Sequence, residues 1–213
     1  MDFTFFEQRI VKITNLDLPG AAFHLKMAPT QRLQALQQRA ILRNTARRAG
    51  VVALFYPSLQ GEARFLLILR KTYKGVHSGQ VGFPGGKREK GDATIEVTAL
   101  RETEEEVGVP RAAISVLKKL TEIYIPPSDF FVQPFLGVAH VPPKFFPQET
   151  EVEALIEVPV REFMAAAVKT TKNVAAPYAA PMAVPAFLLQ GHVVWGATAM
   201  MLNEIRQCLK QLL

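Results

Sequence analysis

The sequence predicts an α/β fold in which a mixed β-sheet is sandwiched between helices. Apolar runs with strand character recur from Gly50 to Trp195, helical periods appear at several separate points, and the two do not alternate in a simple way. With 213 residues, 49% of them hydrophobic, the chain is long enough for one well-buried core and short for two full domains.

Taken in order, the first residues to about Met27 show no clear period, with Arg9 to Ile13 read as a strand. A helix starts near Thr30, after Pro29, and carries Leu33, Leu36, Ala40 and Leu42 at helical spacing. Residues 1–45 are therefore expected to form an N-terminal arm and helix packed on a main domain of residues 46–213. Gly50 to Tyr56 and Arg64 to Arg70 read as strands joined by the turn-rich Pro57-Ser58-Leu59-Gln60-Gly61. Phe83-Pro84-Gly85-Gly86 follows, where paired glycines make a tight turn and bring backbone close to a ligand. An acidic helix comes next, stopped by Gly108 and barred from continuing by Pro110.

Ile114 to Leu120, Thr121 to Ile125 and Phe131 to Ala139 are strand candidates, the last interrupted at Pro134. Glu153 to Val158 is a further strand stopped by Pro159, and Pro159 to Val168 resembles a short helix. Thr170 to Pro185, rich in Ala, Pro and Thr, reads as an exposed loop. Phe187 to Gln190 and Val193 to Trp195 look like a hairpin around Gly191-His192, and Ala197 to Leu212 has the period of a closing helix.

The longest apolar stretches fall far short of the roughly 18 residues that span a bilayer. No basic-then-apolar leader is visible, so a cytosolic protein with no membrane association is expected. The single Cys208 cannot form an internal disulfide, and packing is its expected role. A net charge of +6 favours anionic partners without choosing among them. Its distribution says more: Arg70, Lys71, Lys74, Lys87, Arg88 and Lys90 flank the glycine pair, with Glu89 the only acid before Gly91.

Within the acidic helix, Arg101-Glu102-Thr103-Glu104-Glu105-Glu106-Val107-Gly108 stacks Glu102, Glu105 and Glu106 on neighbouring turns, close enough to share divalent ions. Helical geometry aims Glu106 between Ile95 and Ala99, at the edge of the buried stripe, and Glu104 away. A Glu run alone reads as a solvated helix face. The glycine pair before it and the glycine stop after it argue for a site.

This pattern resembles the Nudix box, whose usual form is Gly, five residues, Glu, seven residues, then Arg-Glu-apolar-x-Glu-Glu-x-Gly-apolar. Gly86 opens it here, and Arg101, Glu102, Glu105, Glu106, Gly108 and Val109 fill the second half. The early acid is Asp92, which also suits a helix N-cap, and eight residues separate it from Arg101. The segment His77-Ser78-Gly79-Gln80-Val81-Gly82-Phe83-Pro84-Gly85-Gly86, led by the strand ending at Arg70-Lys71, resembles the branch that cleaves coenzyme A and its thioesters. That branch commonly carries the extra box residue, and the likeness covers roughly residues 50 to 205.

The resemblance implies an α/β/α sandwich with a mixed sheet and a metal-dependent pyrophosphohydrolase. Its substrate would be coenzyme A or acyl-CoA, cleaved to 3′,5′-ADP and 4′-phosphopantetheine or its acyl derivative. Carboxylates and water suit Mg²⁺ or Mn²⁺, held by Glu102, Glu105 and Glu106. Glu102 ligates or polarises the attacking water, Arg101 braces the acids, and Glu151 supplies a ligand or the general base, or is an exposed loop acid. Arg70, Lys71, His77, Gln80, Phe83, Gly85, Gly86 and Lys87 are the substrate-binding candidates, although His77 reads equally well as a turn residue. Three alternatives stay open: a Nudix pyrophosphatase for ADP-ribose or another nucleotide, a non-catalytic nucleotide-binding module, and an RNA-end pyrophosphohydrolase. No basic stretch is interleaved with aromatics, so nucleic acid is not the expected partner. Phe3, Phe5 and Phe6 would either cover a homodimer partner or close the monomer core.

Overall fold

The computed structural model describes residues 1–28, 46–72, 79–176 and 179–213, apart from the side chains of 174–182. The helix expected from Thr30 to Leu42, together with Lys74 and His77, lies outside them.

Helix α1 (Phe3–Ile10) is capped by Asp2, whose carboxylate accepts from Phe5 N–H at 3.0 Å, and runs into a 3-10 turn, Val11–Asn15. The strand expected at Arg9 to Ile13 is thus helical. Phe3, Phe6, Ile10 and Ile13 share one buried face, and packing of that face outweighs the β-branched character of the segment. A short helix α2 (Ala21–Leu25) follows. Strands β1 (Arg47–Pro57) and β2 (Ala63–Arg70) pair antiparallel at their turn end, through Phe55 with Phe65 and Pro57 with Ala63.

Beyond that end they splay. Strands β3 (Val81–Gly82) and β4 (Gly85–Lys87) fill the opening, β3 against β2 and β4 against β1. The glycine pair is therefore strand rather than turn. Helix α3 (Ile95–Val107) comes next, then β5 (Ser115–Lys119), β6 (Ile123–Ile125), β7 (Phe130–Val138) and β8 (Val152–Pro159). Together these strands make a mixed eight-stranded sheet in which β7 runs parallel to β1 and β8 flanks β2.

Pro134 lies inside β7, between two rows of neighbours, where a missing N–H would ordinarily break a ladder. It falls where the partner changes, β6 ending its pairing at Val132 and β5 resuming at Phe135. There the buried Gln133 side chain donates to Leu120 O at 2.6 Å.

After helix α4 (Val160–Met164), β9 (Lys169–Ala176), β10 (Ala179–Leu189) and β11 (His192–Trp195) form a three-stranded antiparallel sheet, and α5 (Gly196–Leu212) closes the chain. The exposed loop expected at Thr170 to Pro185 is instead most of a β-ladder. Pro185 pairs with Thr171 just past the end of β11, where β10 has one neighbour, and Val184 and Ala186 are buried. The hairpin turn is Gln190-Gly191, both at positive φ, so His192 opens β11 rather than sitting in the turn.

Both faces of the large sheet are covered, which explains the near-continuous apolar run of β1. Val51, Ala53 and Phe55 join a core containing Phe6, Phe65, Phe163, Phe187 and the inner face of α5. Val52, Leu54 and Tyr56 face the opposite way, with Leu66, Ile68, Phe135, Ala99 and Val107 beneath α3. The expected sandwich with a mixed sheet is observed. Close seating of α3 depends on Gly50, where a Cβ would lie 2.5 Å from Ile95 O.

Candidate functional site

The loop from β4 to α3 is built around Asp92. Its carboxylate accepts from Glu89 N–H at 2.9 Å, the Thr98 hydroxyl at 2.8 Å, and Arg101 Nε and Nη2 at 3.0 and 3.1 Å. These bonds, Arg101 first, hold its carboxyl far below the usual range. Thr94, not Asp92, is the N-cap, accepting from Val97 N–H. Nothing in the spacing alone singles out Thr98 as an Asp92 partner, because that contact closes across the loop.

Arg101 reaches three carboxylates at once. Besides Asp92, it donates to Glu102 Oε1 at 3.0 Å and Glu105 Oε2 at 2.9 Å. Arg101 and Glu105 are related as i, i+4 and Glu102 and Glu105 as i, i+3, which puts all three side chains on one flank of α3. Glu104 points elsewhere and pairs with Arg111.

Glu106 faces inward as its helical phase requires and is 1% exposed. Gly85 N–H donates to Oε2 at 2.7 Å, and Arg70 Nη2 lies 3.2 Å from Oε1. Burial pushes its carboxyl up to about 7 against the pull of Arg70 and the Gly85 amide, with Glu102 and Glu151 adding to the rise. Glu102 is also raised, by burial first, with Glu105 and Glu151 contributing and Arg101 opposing.

Glu151 comes near because its segment is latched to the end of α3. Phe146 N–H donates to Val107 O and Gln148 N–H to Glu106 O, both at 2.9 Å, so carbonyls left open by the helix end are met. Lys71 N–H then donates to Glu151 O at 2.9 Å, tying in the end of β2. Gly108 allows the latch: its φ is +75°, and a Cβ there would lie 2.7 Å from Phe146 Cβ.

Among the other candidates, Gly86 leaves room for an acid and Gly85 lets β4 lie close against β1. A Cβ on Gly86 would sit 2.2 Å from Glu102 Oε2, and one on Gly85 would sit 2.3 Å from Gly50 O. Phe83 is 2% exposed and packs in the core rather than facing a ligand. Arg70 is engaged by Glu106 and by Gly85 O, a pairing that local spacing does not reveal. Lys71 pairs with Glu153 at the surface, Lys87 is exposed, and Gln80 O accepts from Arg70 N–H. His77 lies outside the described residues.

Among the described residues no three acids converge into a ready-made cation cage. The donor set nevertheless fits a hard divalent ion. It is all oxygen, and neighbouring carboxylates add to the rise of two of them, Glu105 and Glu151 at Glu102, and Glu102 and Glu151 at Glu106, a repulsion that a cation would relieve. Also among the described residues, no helix is long and apolar enough to cross a membrane.

A family model described as "NUDIX domain" matches residues 45–179, more than half of the chain. A Nudix hydrolase of uncharacterised function, NudL, from Yersinia pestis (strain Pestoides F) is 39% identical over 101 residues, 47% of this chain and 50% of that protein. The match thus spans about half the length of that curated relative. Two solved structures share the fold. A Nudix hydrolase from M. smegmatis, RenU, is 18% identical with a TM-score of 0.54, over 79% of this chain and 88% of its own. A MutT/nudix family protein from Enterococcus faecalis is 14% identical with a TM-score of 0.50, over 78% and 62%.

Proposed function

This chain belongs to the Nudix family, and from that premise we propose that it is a metal-dependent pyrophosphohydrolase whose substrate is coenzyme A or an acyl-CoA. The observation that carries the hydrolytic reading is the acidic flank of α3, where Arg101 braces Glu102 and Glu105, Glu102 sits against Gly86 and Glu106 turns inward onto Gly85 N–H. Glu102, Glu105 and Glu106 would hold Mg²⁺ or Mn²⁺, with Glu151 as a further ligand or the general base. Bound there, such an ion would neutralise phosphate oxygens and acidify water.

The chain's own residues hold the acids in place. Arg101 fixes the rotamers of Glu102 and Glu105, and Asp92 fixes Arg101 from the far side. Gly85 N–H orients Glu106, and the missing Cβ of Gly86 leaves Glu102 its place. The coenzyme A specificity rests on the His77-to-Gly86 segment and on cations along the rim, where Lys87 and Arg88 are exposed.

Hydrolysis of coenzyme A and of ADP-ribose, each with Mg²⁺ or Mn²⁺ and with products identified by mass, tests both levels. Release of 3′,5′-ADP and 4′-phosphopantetheine is the expected result. Cleavage of ADP-ribose alone would overturn the specificity, and no hydrolysis of either would overturn the enzymatic reading.

A further inference from the structure

Glu106 is nearly inaccessible, and both of its carboxylate oxygens have partners within the chain. Gly85 N–H bonds one oxygen and Arg70 Nη2 pairs with the other. That same Arg70 nitrogen donates to the Gly85 carbonyl at 2.8 Å. One guanidinium nitrogen thus lies between a carboxylate and a peptide carbonyl, the two kinds of oxygen that hard divalent cations take as ligands.

A metal drawn to Glu106 and the Arg70 nitrogen would compete for one place, since two cations that close in a poorly hydrated site repel strongly. Arg70 has somewhere else to go. Its backbone is held at the end of β2, its N–H donating to Gln80 O at 3.1 Å and its strand paired with Val152. Its side chain is 26% exposed and therefore reaches solvent. A guanidinium is also the side chain best matched to phosphate oxygens.

We propose that Arg70 is an internal counter-ion: it occupies the cation position at Glu106 until the phosphates of an incoming nucleotide draw it away and open that position to the metal. The inference rests on the metal-dependent reading above. Binding of anion and cation are then coupled, and the coupling is reciprocal. Arg70 is a positioning residue in this scheme, acting through Glu106.

Mn²⁺ affinity without nucleotide, followed by the paramagnetic resonance signal of the free ion, tests the first half. Arg70→Gln removes the charge while keeping a donor for Gly85 O, and should tighten Mn²⁺ binding at least about five-fold, within the usual range of coupling. Equal or weaker binding would overturn the proposal, because a merely structural role could only loosen the site. Should Arg70→Gln not fold, Arg70→Met carries the same comparison. Glu106→Gln made in the Arg70→Gln background, where the counter-ion is gone, separates the two levels: if it leaves Mn²⁺ binding unchanged, the metal-site reading itself fails. If it weakens binding while Arg70→Gln does not tighten it, only the counter-ion role fails. Calorimetric titration of ADP in EDTA tests the second half. Arg70→Gln should bind ADP roughly ten-fold more weakly, as loss of one charge-assisted phosphate contact implies; unchanged affinity would overturn the recruitment of Arg70 by phosphate.

Discussion

Glu105 and Glu106 are adjacent in the chain and opposite in surroundings. One helical step of about 100° separates an exposed carboxylate paired with Arg101 from a buried one held by Gly85 and Arg70. Glu105→Gln and Glu106→Gln should each lower kcat by more than the roughly 10–100-fold typical of changes around a metal's outer ligands. Their stabilities should differ. Glu105→Gln should melt with the wild type and Glu106→Gln below it, because Arg70 loses its partner. Kinetics at saturating Mg²⁺ or Mn²⁺ with thermal melts checks both, and near-normal kcat in both variants removes the ligand assignment. Asp92 has a different signature. Its depressed carboxyl contributes stability that is complete above the unfolded value and lost as pH falls through the folded one. Asp92→Asn should therefore cost about 2 kcal/mol at neutral pH, and its deficit should narrow once pH drops below about 4. Melts between neutral and acid pH give the answer; a deficit that is constant with pH would mean the Arg101 pairing is not its source.

Helix α3 and the segment after β7 act as one element. Gly108 turns the chain with positive φ and leaves room for Phe146, whose amide caps Val107 and begins the latch that carries Glu151. Gly108→Ala should lose about 1–2 kcal/mol from the left-handed backbone alone and should also displace the latch, lowering activity without loss of helix. Circular dichroism beside kinetics checks this; full activity would show that the latch need not hold Glu151 in place. The helix stop itself was legible, because a glycine followed by proline is a local signal. Arg9 to Ile13 and Thr170 to Pro185 were not. In the first, the helical face Phe3, Phe6, Ile10 and Ile13 is mixed with β-branched neighbours. In the second, a composition poor in strand formers becomes a ladder through pairing with Lys169–Ala176 and burial of Val184 and Ala186. Pairing and burial, rather than composition, decided both.

At the scale of the molecule, the amino terminus belongs to the main core. Phe3 N–H donates to Gly61 O, Ala63 N–H to Met1 O, and Phe6 packs on Phe55 with ring centroids 5.3 Å apart. Phe3 and Phe6 are buried within the chain, while Phe5 is exposed beneath the Arg9 guanidinium. The buried His24–Glu204 pair, at 3.1 Å, ties α2 to α5 in the same way. Phe6→Ala should cost about 3–5 kcal/mol and lower the melting temperature by roughly 6–20 °C for a domain of this size, in a single transition seen by calorimetry. A small, separate low-temperature transition would instead mark the terminus as an independent appendage. By itself the sequence determined the sandwich class, the hairpin of β1 and β2, the inward phase of Glu106 and the ridge of Glu102 and Glu105, because these follow from periods of two and 3.6 residues that a short window contains. Only the tertiary structure decided that the glycine pair is a strand wedged between β1 and β2, that Arg70 meets Glu106, and that Asp92 anchors Arg101. Those contacts join residues brought together by sheet register and loop closure, and register is set by what the whole core can bury rather than by any local run of residues.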